Sequence, residues 1–197
     1  SSICGKNTAI GYQTLINNTT GCNNTAIGYK TLWGNTTGSD NIGIGCCTLC
    51  KNTIGRNNIA IGYTTMFYNT GGTNNIAIGN NALTNNTIGT FNTAVGGAAL
   101  SQNKIGTYNV AFGDSALQNK TCGDNNIAIG TQALFNNTTG STNIAIGVCA
   151  LHNNITGNTN VIIGYRAGYY ELGSNKLYIA NSDTANPLIY GEFDNEK

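Results

Sequence analysis

Asparagine returns every seventeen residues. It stands at Asn7, Asn24, Asn41, Asn58, Asn75, Asn92, Asn109, Asn126, Asn143 and Asn160, ten times without a slip. Glycine follows four residues later each time, from Gly11 to Gly164. A second glycine column runs from Gly21 to Gly157 at the same spacing. The unit reads N-x-A-I-G-x-x-(A/T)-L-x-N-N-T-(T/I)-G-x-N. Loops drift in length because a free backbone absorbs insertions. Ten copies of fixed length therefore mean that each copy rests on the last and every residue keeps its column. Seventeen residues are too few for a helical-hairpin repeat or a propeller blade. They suit one coil of a solenoid whose coils stack at the strand spacing of ~4.8 Å, so ten coils span roughly 48 Å.

The expected fold is all-β: a parallel β-solenoid (β-roll) of about ten 17-residue coils. Hairpins are disfavoured, because 34 Asn and 27 Gly produce no Asn-Gly pair, the strongest short hairpin signal. A helix is disfavoured by the frequency of Gly and the lack of a 3.6-residue apolar period. Strand alternation puts the residues on either side of Ala on one face. Ile59 and Ile61 are expected inside, with Ala60 between them facing out. A column from Leu15 through Leu32, Leu49 and Met66 to Leu151 is expected to fill a thin core from a second wall, giving three or four apolar residues per coil. The glycines mark corners that need either φ > 0 or close backbone approach. The Asn column is expected to form a structural ladder, its side chains bonding to the backbone of the next coil, since buried polar groups need partners.

Three segments follow: 1–6 as an irregular lead-in, 7–167 as the solenoid, and 168–197 as a degenerate last coil with a tail or cap. Gly168 stands where Leu is expected, Gly173 comes one residue early, and five of the eight acidic residues lie from Glu171 onward. An atypical, more polar final unit suits the end of a solenoid.

Charged residues are only 9%, with a formal net charge of +1. Nothing in that balance favours nucleic acid or an anionic membrane, and no apolar run approaches the ~20 residues of a membrane span. No nucleic-acid partner and no membrane insertion are expected.

The "NTAIG" and "NIAIG" units resemble the "SVAIG"-type repeats in the heads of trimeric autotransporter adhesins, over roughly residues 7–164. The period departs from that family, whose unit is usually shorter and lacks the "L-x-N-N-T-T-G" segment. Longer units of this kind resemble repeat regions of phage-type fibres and large bacterial surface proteins. The end "GSNKLYIANSDTANPLIYGEF" resembles the segment preceding a self-cleaving chaperone domain in such fibres. The resemblance implies a left-handed β-roll, a side-by-side homotrimer, an extracellular position on a cell or virion surface, and adhesion or host recognition. It implies the chain itself as first partner, with end-to-end assembly and a cell-surface receptor or glycan as further candidates.

Sites for chemistry are sparse. "CCTLC" contains Cys47-x-x-Cys50, a pattern used by redox and metal sites. No second such pair and no nearby His completes a zinc set. The seven Cys read better as substitutions at tolerant positions, with Cys4 and Cys22, one coil apart, as a candidate disulfide. His152, the only His, reads as a surface residue. The acidic residues Asp40, Asp114 and Asp124 are too scattered for acid–base pairs or repeated calcium sites. No catalytic residue, metal or cofactor is expected, and the chain reads as no enzyme. The aromatic residues Tyr12, Tyr29, Trp33, Tyr63, Phe67, Phe135, Tyr165 and Tyr169 fall in two variable columns. They form a candidate face for a receptor or for a neighbouring chain. The residues that break the repeat most sharply, Cys22, Tyr29, Lys30 and Trp33, are where recognition would be sought.

The expected role is a structural or adhesive fibre segment, a stiff rod for attachment. One alternative is an ice- or surface-binding solenoid using the column Thr19, Thr36, Thr53, Thr70, Thr87, Thr121 and Thr138, which Lys104 and Ile155 interrupt. Another is a filament-forming extracellular structural protein.

Overall fold

The computed structural model describes residues 5–194. Ten three-residue strands, from β1 (Thr8–Ile10) to β10 (Val161–Ile163), recur one per coil and pair in parallel, each with the next. The register never slips: Ile59 pairs with Ile76, Ala60 with Ala77 and Ile61 with Ile78. β11 (Lys176–Ile179) joins the same sheet in parallel, with Val161 opposite Leu177, so the last coil is one residue short. β12 (Ile189–Glu192) then turns back antiparallel to β11. The chain is a parallel β-solenoid of about ten 17-residue coils, and the described residues contain no helix.

Hydrogen bonding between coils extends well past the three-residue strands. Leu32 N–H donates forward to Thr48 O at 3.0 Å, and Lys30 N–H donates backward to Tyr12 O at 2.9 Å. This alternation depends on an unusual backbone. The Leu column, Met66 included, sits at φ between 49° and 53°, and the column of Lys30 and Cys47 sits near the same value. A left-handed conformation costs an ordinary L-residue about 1–2 kcal/mol. Here the alternate reversal of handedness aims successive peptide groups up and down the stack, where each finds a partner.

One glycine column meets both expectations, since a Cβ on Gly28 would also press on the carbonyl of Gly45, and the other meets that of close approach. The column from Gly11 to Gly164 has φ of 123–140°, a region other residues avoid. The column of Gly38 serves close approach: a Cβ there would lie 2.7 Å from Asn52 Nδ2 and against the carbonyl of Gly55.

The facing of the strands is the reverse of the expected one. Ala26, Ala60, Ala77 and their equivalents are fully buried, while Ile42, Ile44, Ile76 and Ile78 are exposed and Ile59 and Ile61 only half-buried. Alternation says which residues share a face, and the width of the interior decides which face goes in. The interior has room for one large side chain per coil, and Leu takes it from the opposite wall. The last full coil proves the limit. Gly168 stands in the Leu column, and there Ile162 replaces the inward Ala and is fully buried. A Cβ on Gly168 would lie 3.2 Å from Ile162 Cγ2, so the two substitutions exchange volume across the core.

The core is also more polar than three or four apolar residues per coil. A typical coil buries Ala, Leu, one further Ala or Thr, and two asparagines.

Candidate functional site

The Asn7-to-Asn160 column forms a continuous chain of amides. Asn41 donates its backbone N–H and its Nδ2 to Asn24 Oδ1, at 3.0 and 3.1 Å, and its Nδ2 also to Gly55 O at 2.9 Å. The same three bonds repeat at Asn58, Asn75 and Asn92. The side chain therefore bonds both to the neighbouring amide and to the backbone.

A second ladder went unnoticed in the sequence. Asn18, Asn35, Asn52, Asn69, Asn86 and Asn103 form another column, in which Asn52 Nδ2 donates to Asn35 Oδ1 at 2.7 Å and Asn69 Nδ2 to Asn52 Oδ1 at 2.6 Å. The two ladders meet: Asn24 Nδ2 and Asn35 Nδ2 both donate to Gly38 O, each at 2.9 Å. The signal was available as the second Asn of the "NNTT" and "NNTI" runs and its equivalents. It was masked because Lys120 interrupts the column. Lys120 is fully buried, and its ammonium donates to Asn137 Oδ1 at 2.7 Å and to Gly140 O. Burial lowers its pKa from 10.5 to about 8, with Cys122 and Asp124 pulling the other way.

The expected aromatic face divides into separate groups. Tyr12 and Tyr29 stack at 5.6 Å. Phe135, His152 and Tyr169 form a three-ring stack, with centroids 5.1 and 4.8 Å apart and near-parallel planes. His152, expected as a surface residue, is thus half-buried between two rings. Tyr63 and Tyr165 are exposed, and among the described residues no ring contact joins Tyr63 to the others. Trp33 and Phe67 lie two coils apart in the column that holds the His152 stack, with Cys50 between them. Together with Tyr29, Lys30, Cys47 and Lys51 they line an open groove of about 300 Å³.

The thiols are quiet. Cys46 and Cys47 Sγ lie 3.5 Å apart. Burial and then the neighbouring Cys46 push the Cys47 thiol up to about 11, and burial also raises Cys50. Both are therefore protonated, poor nucleophiles at neutral pH. Cys22 is disulfide-bonded; the expected pairing with Cys4 falls on a residue outside the described range. Among the described residues no group of three His, Cys, Asp or Glu side chains could hold a metal ion. No helix of the described residues is long and apolar enough to cross a membrane.

The threonine column is not a free row of hydroxyls. Thr36 Oγ1 donates to Thr53 O at 3.0 Å and Thr70 Oγ1 to Thr87 O at 3.0 Å, each tying one coil to the next. Compared with known protein families, with curated proteins and with solved structures, the chain finds no match.

Proposed function

We propose that the chain is a non-enzymatic segment of an extracellular fibre on a cell or virion surface, a stiff rod for attachment that assembles as a side-by-side homotrimer. The observation that carries this reading is the outward strand face. Its two columns run Thr8, Thr25, Ile42, Ile59, Ile76 and onward, and Ile10, Ile27, Ile44, Ile61, Ile78 and onward. They hold no charged residue over ten rungs. The strip is roughly 48 Å by 10 Å, about 500 Å², near the upper end of what a soluble monomer leaves uncovered. A second copy of the same chain is the natural cover, because it offers the same rung spacing and the same absence of charge. The resemblance of the "NIAIG" units to adhesin heads supports the same assembly and the surface location. A core held by bonds from coil to coil resists bending, which suits a spacer that carries an attachment site away from a surface.

Light scattering on the intact chain tests the assembly. A mass of three chains is expected, and a double substitution of Ile76→Lys and Ile78→Lys at mid-strip should give monomers that keep the β-rich circular dichroism spectrum. A monomeric wild-type chain at micromolar concentration would sink the trimer.

A further inference from the structure

One column of the solenoid shows the same arrangement twice, once complete and once with a part missing. At its C-terminal end, Phe135, His152 and Tyr169 stack in three successive coils, with the imidazole between the two larger rings. In coils two to four the column reads Trp33, Cys50, Phe67. The outer two positions again hold aromatic rings, and the middle one holds a small side chain. The outer positions are two coils apart, ~9.6 Å along the stack. That is the height spanned by the complete stack, and the groove of about 300 Å³ that Trp33 and Phe67 line, with the buried Cys50 at its floor, has room for one flat ring.

The gap is flanked by positive charge. Lys30 Nζ lies 5.3 Å from the centroid of the Tyr29 ring, and Lys51 Nζ 5.5 Å from that of Trp33. Neither lysine forms an ion pair among the described residues, where the salt bridges are Arg166–Asp183 and Lys176–Glu192. Contact with a ring face holds an exposed ammonium only weakly, so both remain available to an anion. Gly34, in the column of Lys51 and one coil earlier, has no side chain to crowd the edge of the groove. The chain is otherwise sparsely charged, and these two cations line the same groove as the only Trp it contains.

We propose that the groove between Trp33 and Phe67 binds a single six-membered ring carrying a carboxylate. The ring lies over Cys50, where the protein's other stack places His152, and the carboxylate pairs with Lys30 and Lys51. A uronic sugar and an aromatic acid share this chemistry. The groove lies on the wall that follows the Gly28 corner, not on the isoleucine strip, so the inference does not rest on the trimer.

Trp33 fluorescence reads this site alone. Glucuronate, benzoate, neutral methyl glucoside and ringless acetate are titrated into the intact chain. A saturable change with half-saturation on the order of 1 mM is expected for at least one ring acid. Glucuronate alone responding identifies a sugar acid, benzoate alone an aromatic acid, and both together the shared chemistry. Methyl glucoside and acetate should give no saturable change. Cys50→Phe supplies the missing ring, as Phe67 and Phe135 do in their own coils, and should abolish the response. The double substitution of Lys30→Gln and Lys51→Gln, which leaves the core untouched, should weaken it at least about tenfold. The proposal is overturned if neither ring acid gives a saturable change, if methyl glucoside or acetate matches them, or if binding survives in the lysine double variant or in a folded Cys50→Phe chain. Because the mass measurement is separate, a monomer that binds and a trimer that does not are distinguishable results.

Discussion

The two asparagine ladders run side by side through the same core, yet one is unbroken and the other is not. In the first, from Asn7 to Asn160, each amide oxygen accepts from the next Asn, and the direction of donation never changes. In the second, donation runs the same way up to Asn103, which donates to Asn86 Oδ1 at 2.9 Å. Lys120 follows, and its ammonium turns toward Asn137. Asn103 Oδ1, buried, is left with no partner among the described residues. Past the break the direction reverses: Asn137 Oδ1 is occupied by the lysine, and Asn137 Nδ2 donates onward to Asn154 Oδ1. A carboxamide both accepts and donates, whereas an ammonium only donates. One substitution therefore makes a donor-only rung and turns the polarity of everything after it. The disturbance reaches the backbone: Gly123 has φ of 95°, and it is the only glycine of its column with a positive value.

The largest effect should come from breaking the intact ladder. Asn75 makes three donor bonds and accepts two from Asn92. Asn75→Ala removes its side-chain bonds and leaves Gly89 O and the Asn92 donors short of partners in a dry interior. A loss of about 3–5 kcal/mol is expected, read as a lower denaturation midpoint at equilibrium. A loss under about 1 kcal/mol would mean that water replaces the rung and that the ladder matters little.

Mending the broken ladder should have a smaller and opposite effect. Lys120→Asn returns an acceptor and a donor to the column, gives Asn103 Oδ1 a partner, and removes a buried charge. A gain of about 1–3 kcal/mol at pH 7 is expected. The gain should shrink as pH rises. The folded-state pKa of Lys120 is depressed to about 8 from 10.5. Between those values the unfolded chain holds the proton and the folded chain does not, so wild-type stability rises with pH across that window, by up to about 3 kcal/mol. Below about pH 8 the full penalty is present. The difference between wild type and Lys120→Asn, followed from pH 7 to 10.5, isolates this proton from the nearby Cys122 and Asp124. A difference that stays flat would show that Lys120 keeps its ordinary titration.

How far the sequence reaches is clearest column by column. A period of seventeen without insertion is enough for the solenoid, its strands and their register, because stacked coils tolerate no drift. The facing of Ile59 and Ile61 was not legible in the same way. Period-two alternation is symmetric between in and out, and apolar residues suit either a core or a covered surface. Volume breaks that symmetry, and the clue was present where Gly168 loses the Leu and Ile162 supplies the bulk. The left-handed Leu column was not legible at all, since leucine is not a residue that favours φ > 0; only the paired coils make that backbone affordable. Of the groove, Tyr29, Lys30 and Trp33 were visible as departures from the repeat. Phe67 belongs to the aromatic columns, whereas the small side chain of Cys50 takes on meaning only beside the His152 stack.

The smallest effect concerns a difference between the two halves of the rod. The residue before the buried Leu is Thr in the first four coils, at Thr14, Thr31, Thr48 and Thr65, and Ala in the later ones, from Ala82 to Ala167. Thr48 Oγ1 donates to Gly62 O in the next coil at 2.8 Å. From Gly96 onward the glycine carbonyl instead receives a bond from the Ala backbone within its own coil, as from Ala99 N–H to Gly96 O at 3.4 Å, while Gly79 O at the junction accepts both. The same corner is thus closed by a hydroxyl between coils or by the backbone within one. Thr48→Ala converts one coil to the second solution and loses one hydrogen bond, but leaves no unpaired hydroxyl behind. A change of about 0.5–1 kcal/mol is expected, with the double change at Thr31 and Thr48 adding to no more than about 2 kcal/mol. A much larger loss would mean that the N-terminal coils depend on their hydroxyls in a way the C-terminal coils do not, and that the two halves are held together by different interactions rather than by two versions of one.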